Sequence, residues 1–130
     1  MLVLCVYWGG LMASQTPKEL VDLGMLSYGK QDFSKARKYF ERACNLNYGG
    51  GCGALGDLYD DGKGVEKNLT KAAYLYSKAC ELKESFGCGA LAVLYINGQG
   101  VEKNLTKADQ YISKACKLGD QEACEVLKEK

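Results

Sequence analysis

Cysteine is the residue type whose spacing says most about the chemistry of this chain. Six of the seven cysteines form two series in which successive members are 36 residues apart: Cys44, Cys80 and Cys116, and Cys52, Cys88 and Cys124. Such cysteines could form disulfides, hold a metal ion or supply a nucleophile. Cys-x7-Cys is not a zinc spacing, and the chain has no histidine. We therefore predict disulfides in an oxidising compartment, with reduced cysteines in the core as the alternative.

The repeat symmetry leaves two disulfide schemes. The first joins cysteines that are separated by seven residues: Cys44 to Cys52, Cys80 to Cys88, and Cys116 to Cys124. The second joins Cys52 to Cys80 and Cys88 to Cys116, and leaves Cys44 and Cys124 unpaired. In the first repeat the position equivalent to Cys52 is Leu20, and no helix precedes it. Only the first scheme explains why no cysteine is needed there, so we predict that scheme.

Hydrolytic chemistry has weaker support. The chain contains one Ser-x-x-Lys, Ser27-Tyr28-Gly29-Lys30, but lacks the Ser-Asp-Asn and Lys-Thr-Gly motifs that accompany it in serine enzymes acting on penicillins. We expect Ser27 to lie in a solvated loop at a helix end. Zinc hydrolases rely on histidine ligands, and the paired cysteines leave no thiolate nucleophile. No catalytic residue, metal or cofactor is predicted, and whether the chain is an enzyme stays open.

The elements that carry the cysteines are helical repeats. The run Gly64 to Ala72 is identical to Gly100 to Ala108. In the second and third repeats a first helix, about 52–61 in the second, ends at Gly-x-Gly, a loop that the first repeat lacks. The second helix of each begins after Asn68 or Asn104. Both asparagines fit glycosylation triplets, but we predict that they are helix caps. We predict one domain over 16–130, with repeats 18–51, 52–87 and 88–123 and a terminal capping helix at 121–130. The fold class is all-α, a right-handed α-solenoid of antiparallel helix pairs.

The segment Met1 to Gln15 has a different composition. Leu2 to Ala13 is nearly all apolar, is too short to span a bilayer, and precedes small and polar residues. This pattern is typical of a secretory signal peptide, and Cys5 would leave with it. No basic residue precedes the apolar run, so we expect the natural start to lie upstream. A buried N-terminal helix is the alternative.

Charge limits the choice of partners. The chain has 17 basic and 16 acidic residues, a net charge of +1, and no basic stripe is evident along the sequence. Nucleic acids and anionic membranes are therefore poor candidate partners. We expect a monomer without a membrane span.

The repeat consensus Cys-x-x-Leu-Gly-x-Leu-Tyr, followed by Gly-x-Gly-Val and Tyr-x-Ser-Lys-Ala-Cys, resembles Sel-one-like repeats, which are related to tetratricopeptide repeats. With a disulfide in every repeat, the chain resembles the Helicobacter cysteine-rich proteins. The resemblance covers 18–130, with an irregular first repeat and an unusual Gly49-Gly50-Gly51 run. It implies an exported solenoid with a binding role, and also penicillin binding and weak β-lactamase activity.

Repeats share residues that the fold requires and differ where the surface is free, so varied positions are candidate ligand contacts. On the first helix of each pair these are Asp57, Asp60 and Asp61 in the second repeat, against Val93, Ile96 and Asn97 in the third. An exposed acidic face without a ligand is the alternative for the aspartates. A groove with one acidic and one apolar end would suit an extended peptide in which a basic residue adjoins an apolar one.

We therefore predict a secreted or periplasmic protein that binds a host or cell-envelope protein or peptide. Binding or hydrolysis of a β-lactam or a peptidoglycan fragment is the alternative function. Tyrosines at repeat positions, such as Tyr59 and Tyr95, are predicted to pack in the core.

Overall fold

The computed structural model describes residues 15–129, so the predicted signal peptide lies outside the described residues except for Gln15. The described chain consists of helices and the turns between them. The helices are α1 (Pro17–Gly29), α2 (Phe33–Asn45), α3 (Gly49–Asp61), α4 (Leu69–Glu81), α5 (Ser85–Asn97), α6 (Leu105–Lys117) and α7 (Gln121–Lys128). The all-α class predicted from the sequence is confirmed.

The helices form three antiparallel hairpins, α1–α2, α3–α4 and α5–α6, and α7 packs on α6. Each second helix also packs on the first helix of the next hairpin, which makes the array continuous. The first helices α1, α3 and α5 contact one another, and these contacts are more extensive than any between the second helices α2, α4 and α6. The solenoid therefore curves with its first helices on the concave side and its second helices on the convex side.

Short polar side chains start most of the helices. Asn68 and Asn104 accept hydrogen bonds from the backbone N–H of Lys71 and Lys107, so their predicted role as caps is confirmed. Thr16 forms a capping box with Glu19 at the start of α1. Gly62 and Gly98, with φ of 69° and 64°, end α3 and α5 in the left-handed conformation that glycine adopts without strain.

The glycine run belongs to a helix. The sequence predicts that α3 begins near Cys52, but it begins at Gly49. A Cβ on Gly51 would lie 2.6 Å from Cβ of Ala43, and one on Gly87 would lie 2.6 Å from Cβ of Ala79. Gly51 precedes Cys52, and Gly87 precedes Cys88. Each of these glycines therefore lets a first helix approach the preceding second helix more closely than any side chain would allow.

Three disulfides join each second helix to the next first helix. They are Cys44–Cys52, Cys80–Cys88 and Cys116–Cys124, with Cα–Cα distances of 4.5, 4.6 and 4.7 Å. This is the first of the two schemes considered above. Because the bridges recur once per hairpin, they fix the angle at which successive hairpins stack, which is the variable that sets the shape of a solenoid.

The core lies between the helix layers. Its largest fully buried side chains are Tyr76, Phe40, Leu20, Leu58 and Leu91. Leu105 and Val126 are apolar residues that remain exposed. Leu105 is 56% exposed because it occupies the first turn of α6, and Val126 in α7 is 39% exposed.

Candidate functional site

The concave side carries an apolar depression between α5 and α7, with a volume of about 420 Å³. It is lined by Phe86, Gly89, Ala90, Ala92, Val93, Ile96, Ile112, Asp120, Glu122, Ala123 and Val126. Two of these, Val93 and Ile96, are the apolar ligand contacts predicted from the sequence, and they are 50% and 39% exposed. The surface of α5 therefore offers apolar side chains that the fold itself does not cover.

Aromatic and acidic groups border this depression. The ring of Phe86 packs edge-on against that of Tyr76, with centroids 6.0 Å apart, and so connects the depression to the second hairpin. At the other border, Asp120 caps α7 by accepting a hydrogen bond from the N–H of Ala123, and Glu122 lies exposed in the first turn of α7. A ligand side chain in the depression would therefore meet negative charge at its edge.

Asp57 and Asp60 occupy a setting that differs from the predicted one. The rule of varied positions predicts that both lie on a free surface, yet both are half-buried and both accept a hydrogen bond from the buried Tyr76 hydroxyl, at 2.6 and 3.2 Å. The physical reason is that a buried tyrosine needs a partner for its hydroxyl, and α3 supplies two carboxylates at the edge of the core.

This contact changes the acid–base properties of both partners. Burial raises the pKa of Asp57, and the charges of Asp61 and Asp60 add to the rise, while the hydrogen bond from Tyr76 opposes it. Burial also raises the pKa of Tyr76 far above its ordinary value, and the neighbouring carboxylates contribute. Tyr76 therefore stays a neutral hydrogen-bond donor, and the proton affinity of Asp57 depends on what covers it.

The remaining predicted contacts lie at helix ends. Asp61 and Asn97 are exposed at the last residues of α3 and α5, and neither lines the depression. The structure thus brings Val93 together with Ile96, and Asp57 together with Asp60, but gathers the six predicted residues into no single pocket. Sequence reasoning missed Phe86, although it stands where the second repeat has Gly50 and the rule of varied positions would have selected it.

Ser27 lies in a different place from the one predicted. It is 6% exposed and lies within α1, and its hydroxyl donates to the carbonyl of Leu23 at 2.9 Å. The expectation of a solvated loop is wrong because α1 continues through Gly29. Lys30 follows as the exposed C-cap. A serine whose hydroxyl is engaged inside a helix is poorly placed to attack a substrate.

A second surface emerges on the convex side. Three outward positions recur on α2, α4 and α6, and seven of the nine residues there are cations: Lys35, Lys38, Arg42, Lys71, Lys78, Lys107 and Lys114. The other two are Tyr74 and Gln110. We call these seven the cationic face. The absence of a basic stripe inferred from the sequence is therefore wrong, because stacking of the hairpins assembles charges that are dispersed along the chain.

Residues 15–129 contain no helix that is both long and apolar enough to cross a bilayer. In the same range, no cluster of three or more acidic, cysteine or histidine side chains is arranged to hold a metal ion.

With this geometry established, comparison with known proteins identifies the family. The Sel1 repeat model matches residues 21–48, 51–84 and 85–120, which is most of the chain. The chain is a Sel1 repeat protein. Within that family it belongs with the Helicobacter cysteine-rich proteins, as its sequence indicated.

Individual relatives support this placement. Over 66 residues the Sel1 repeat protein is 62% identical to HcpC of Helicobacter pylori, provisionally named a beta-lactamase, and the match covers 51% of this chain and 22% of HcpC. Over 60 residues it is 55% identical to "Beta-lactamase HcpA" of the same species, covering 46% of this chain and 24% of HcpA. The chain thus spans about a fifth to a quarter of the relatives it matches.

Solved structures agree on the fold. Helicobacter pylori cysteine rich protein B superposes with a TM-score of 0.69 and 47% sequence identity, covering 71% of this chain and 69% of that protein. A Sel1 repeat protein from Oxalobacter formigenes superposes with a TM-score of 0.80 and 26% identity, covering 85% of this chain and 47% of the other. The α-solenoid architecture is therefore shared with both of these structures.

Proposed function

We propose that this Sel1 repeat protein is a disulfide-stapled binding module that takes an extended protein or peptide segment on its concave side. The observation that carries this proposal is the apolar depression, in which Val93 and Ile96 stay exposed although the hairpin around them is well packed. Sel1 repeats generally mediate protein interactions, which agrees with such a role. The partner would be a host or cell-envelope protein or peptide.

The surroundings of the depression indicate which ligand it would prefer. An apolar side chain would cover Val93 and Ile96, and burial of each would contribute on the order of 1 kcal/mol. A basic side chain beside it would reach Glu122 at one border or the carboxylates of Asp57 and Asp60 beyond Phe86 at the other. Because the groove is short, its affinity would depend on several such contacts together.

The disulfides support a location for this activity. Three structural bridges, two of them fully buried or nearly so, are typical of an oxidising environment. We propose that the protein works after secretion or in the periplasm. There the bridges would stay oxidised and would keep the binding surface rigid.

β-Lactam binding with weak hydrolysis is the second candidate function, and the names of HcpA and HcpC favour it. The engaged hydroxyl of Ser27 argues against the Ser-x-x-Lys as its source. Any hydrolysis would therefore need another nucleophile or an activated water, and the turnover would be slow.

The test is selection of peptides from a random displayed library on the oxidised protein, followed by fluorescence anisotropy of the enriched peptides. We expect an apolar residue next to Lys or Arg, and a loss of affinity of at least about tenfold in Ile96→Asp. Leu105→Asp is the matched control, because Leu105 is exposed to a similar degree but lies outside the depression. Equal losses in both variants would refute the proposed site.

Nitrocefin turnover separates the two candidate functions. We expect no more turnover than with reduced and unfolded protein. Turnover that survives Ile96→Asp and is inhibited by penicillin would instead establish the second candidate.

A further inference from the structure

We infer that the convex side of the solenoid binds an anionic lipid surface through the cationic face. This site is separate from the concave groove and does not depend on the proposed peptide ligand. The net charge of the whole chain is only +1 and does not predict such a site. The inference rests on how the fold distributes that charge.

The two helix layers carry opposite charge. The described second helices α2, α4 and α6 contain nine Lys and Arg residues against three acidic residues, Glu41, Glu81 and Asp109. On the first helices α1, α3, α5 and α7 the acidic residues are in excess. None of the nine outward positions that define the cationic face is acidic. Because the equivalent positions of stacked repeats face the same direction, the seven cations form one continuous patch.

The patch is available for contact. Every cation in it is exposed except Lys78, which is half-exposed. Three ion pairs occur in the part of the chain that the structure describes, each within one helix, and none of them involves the cationic face. Lys71 and Lys107 do lie over the rings of Tyr59 and Tyr95, which holds these two ammonium groups near the loops. The cationic face is therefore free of these ion pairs, although the carboxylates of Asp32 and Glu102 lie at its border, beside Lys35 and Lys107.

The chemistry favours lipid headgroups over an acidic protein. Six of the seven cations are lysines, which act as flexible point charges and do not impose the planar pairing geometry of arginine. They are spread over three helices, a layout that suits a two-dimensional array of phosphates. At the middle of the patch Tyr74 is 66% exposed, and an exposed tyrosine among cations is typical of the membrane–water interface. Lipid contact there would leave the apolar depression directed away from the membrane.

The experiment is co-sedimentation of the oxidised protein with vesicles of phosphatidylcholine alone, or of phosphatidylcholine mixed with phosphatidylglycerol. We expect binding only to the mixed vesicles, and its loss in about 0.5 M NaCl, where exposed charges are screened. The triple variant Lys35→Gln/Lys38→Gln/Lys114→Gln should bind about 100-fold more weakly at low salt, from about 1 kcal/mol per cation near the surface.

The matched control is Lys18→Gln/Lys30→Gln/Lys128→Gln, which removes the same number of charges from exposed positions on or beside the first helices α1 and α7. We expect it to retain binding to within about threefold. Circular dichroism of both variants would verify that they are folded. Equal losses in both variants would show that net charge alone drives binding, and absence of binding to the mixed vesicles, or preference for a free acidic polypeptide over them, would also overturn the inference.

Discussion

The second and third hairpins have nearly the same backbone and opposite chemistry. They share the identical run from Gly64 to Ala72 and Gly100 to Ala108. Yet at three equivalent positions the second hairpin has Asp57, Asp60 and Tyr76, and the third has Val93, Ile96 and Ile112. In the second hairpin these residues form a hydrogen-bonded group, whereas in the third they line an apolar depression.

The contrast extends to the helix contact beneath these groups. A Cβ on Gly56 would lie 2.7 Å from Cε1 of Tyr76, and one on Gly24 would lie 2.4 Å from Cε1 of Phe40. In the third hairpin the corresponding pair is Ala92 and Ile112. Where the second helix carries an aromatic ring, the facing residue of the first helix is thus glycine. Where the second helix carries the smaller isoleucine, the corresponding residue of the first helix is alanine. Between the second and third hairpins, these two contacting residues therefore change together. The polarity of the neighbouring surface residues on the first helix changes with them.

The largest expected effect concerns the bridges on either side of the third hairpin. Cys80→Ala/Cys88→Ala should lower the free energy of unfolding by about 3 kcal/mol, because the bridge closes a short loop and lies fully buried between two hairpins. Cys116→Ala/Cys124→Ala should cost less than about 1.5 kcal/mol, because only α7 depends on it and can detach locally. Urea unfolding monitored by circular dichroism measures both, and equal costs would contradict this difference.

A smaller effect is expected when the second hairpin is converted toward the third. Gly56→Ala should destabilise by about 1 kcal/mol, because overpacking against Tyr76 outweighs the gain in helix propensity. In a Tyr76→Ile background the same change should stabilise by about 1 kcal/mol, since the ring that clashes is gone. A double-mutant cycle by urea unfolding tests this reversal of sign. Additive effects of the two changes would show that the pairing is incidental.

The smallest expected effect is a dependence of stability on pH that comes from Asp57. The equivalent residue of the third hairpin is Val93, which does not titrate. The pKa of Asp57 is raised in the folded protein, so the folded state holds this proton more tightly than the unfolded state does. Its contribution to stability is therefore greatest below the ordinary aspartate pKa of about 3.9 and is lost as the pH rises through the raised value.

Urea unfolding between about pH 4 and pH 7 measures this contribution. Asp57→Asn should remove the decline, so that the wild type loses stability relative to the variant as the pH increases. Glu102→Gln, at an exposed loop position whose charge is not among those that act on Asp57, is the control and should leave the decline in place. A wild type that instead gains stability relative to Asp57→Asn over this range would refute the assigned direction.

Much of the fold could be predicted from single residues with a local physical role. Asn68 and Asn104 cap helices, and Gly62 and Gly98 end them, because these effects depend only on neighbours within one turn. The helical state of the Gly49-Gly50-Gly51 run is harder to predict, because glycine disfavours helices. Glycine is used within a helix where another backbone must approach closely. Only the packed structure shows that close approach.

The candidate site was predictable in part, for a related reason. Variation between repeats correctly indicated that Val93 and Ile96 are left uncovered, because the fold does not require apolar residues there. It could not show that Asp57 reaches Tyr76, since that contact depends on how two helices cross. The need of a buried tyrosine hydroxyl for a partner was the available signal. The cationic face is invisible to any search along the chain, because its rows come from three separate helices.

The placement of the disulfides determines what survives cleavage of the backbone. Hydrolysis after Lys83 falls between Cys80 and Cys88, so the two resulting pieces stay covalently joined. Hydrolysis after Lys63 or Lys67, in the loop between α3 and α4, falls within no bridge of the described chain, and the pieces are held only by packing. Protease would therefore reduce the molecule to blocks such as α4 joined to α5. The covalent building block is offset by one helix from the repeat in the sequence.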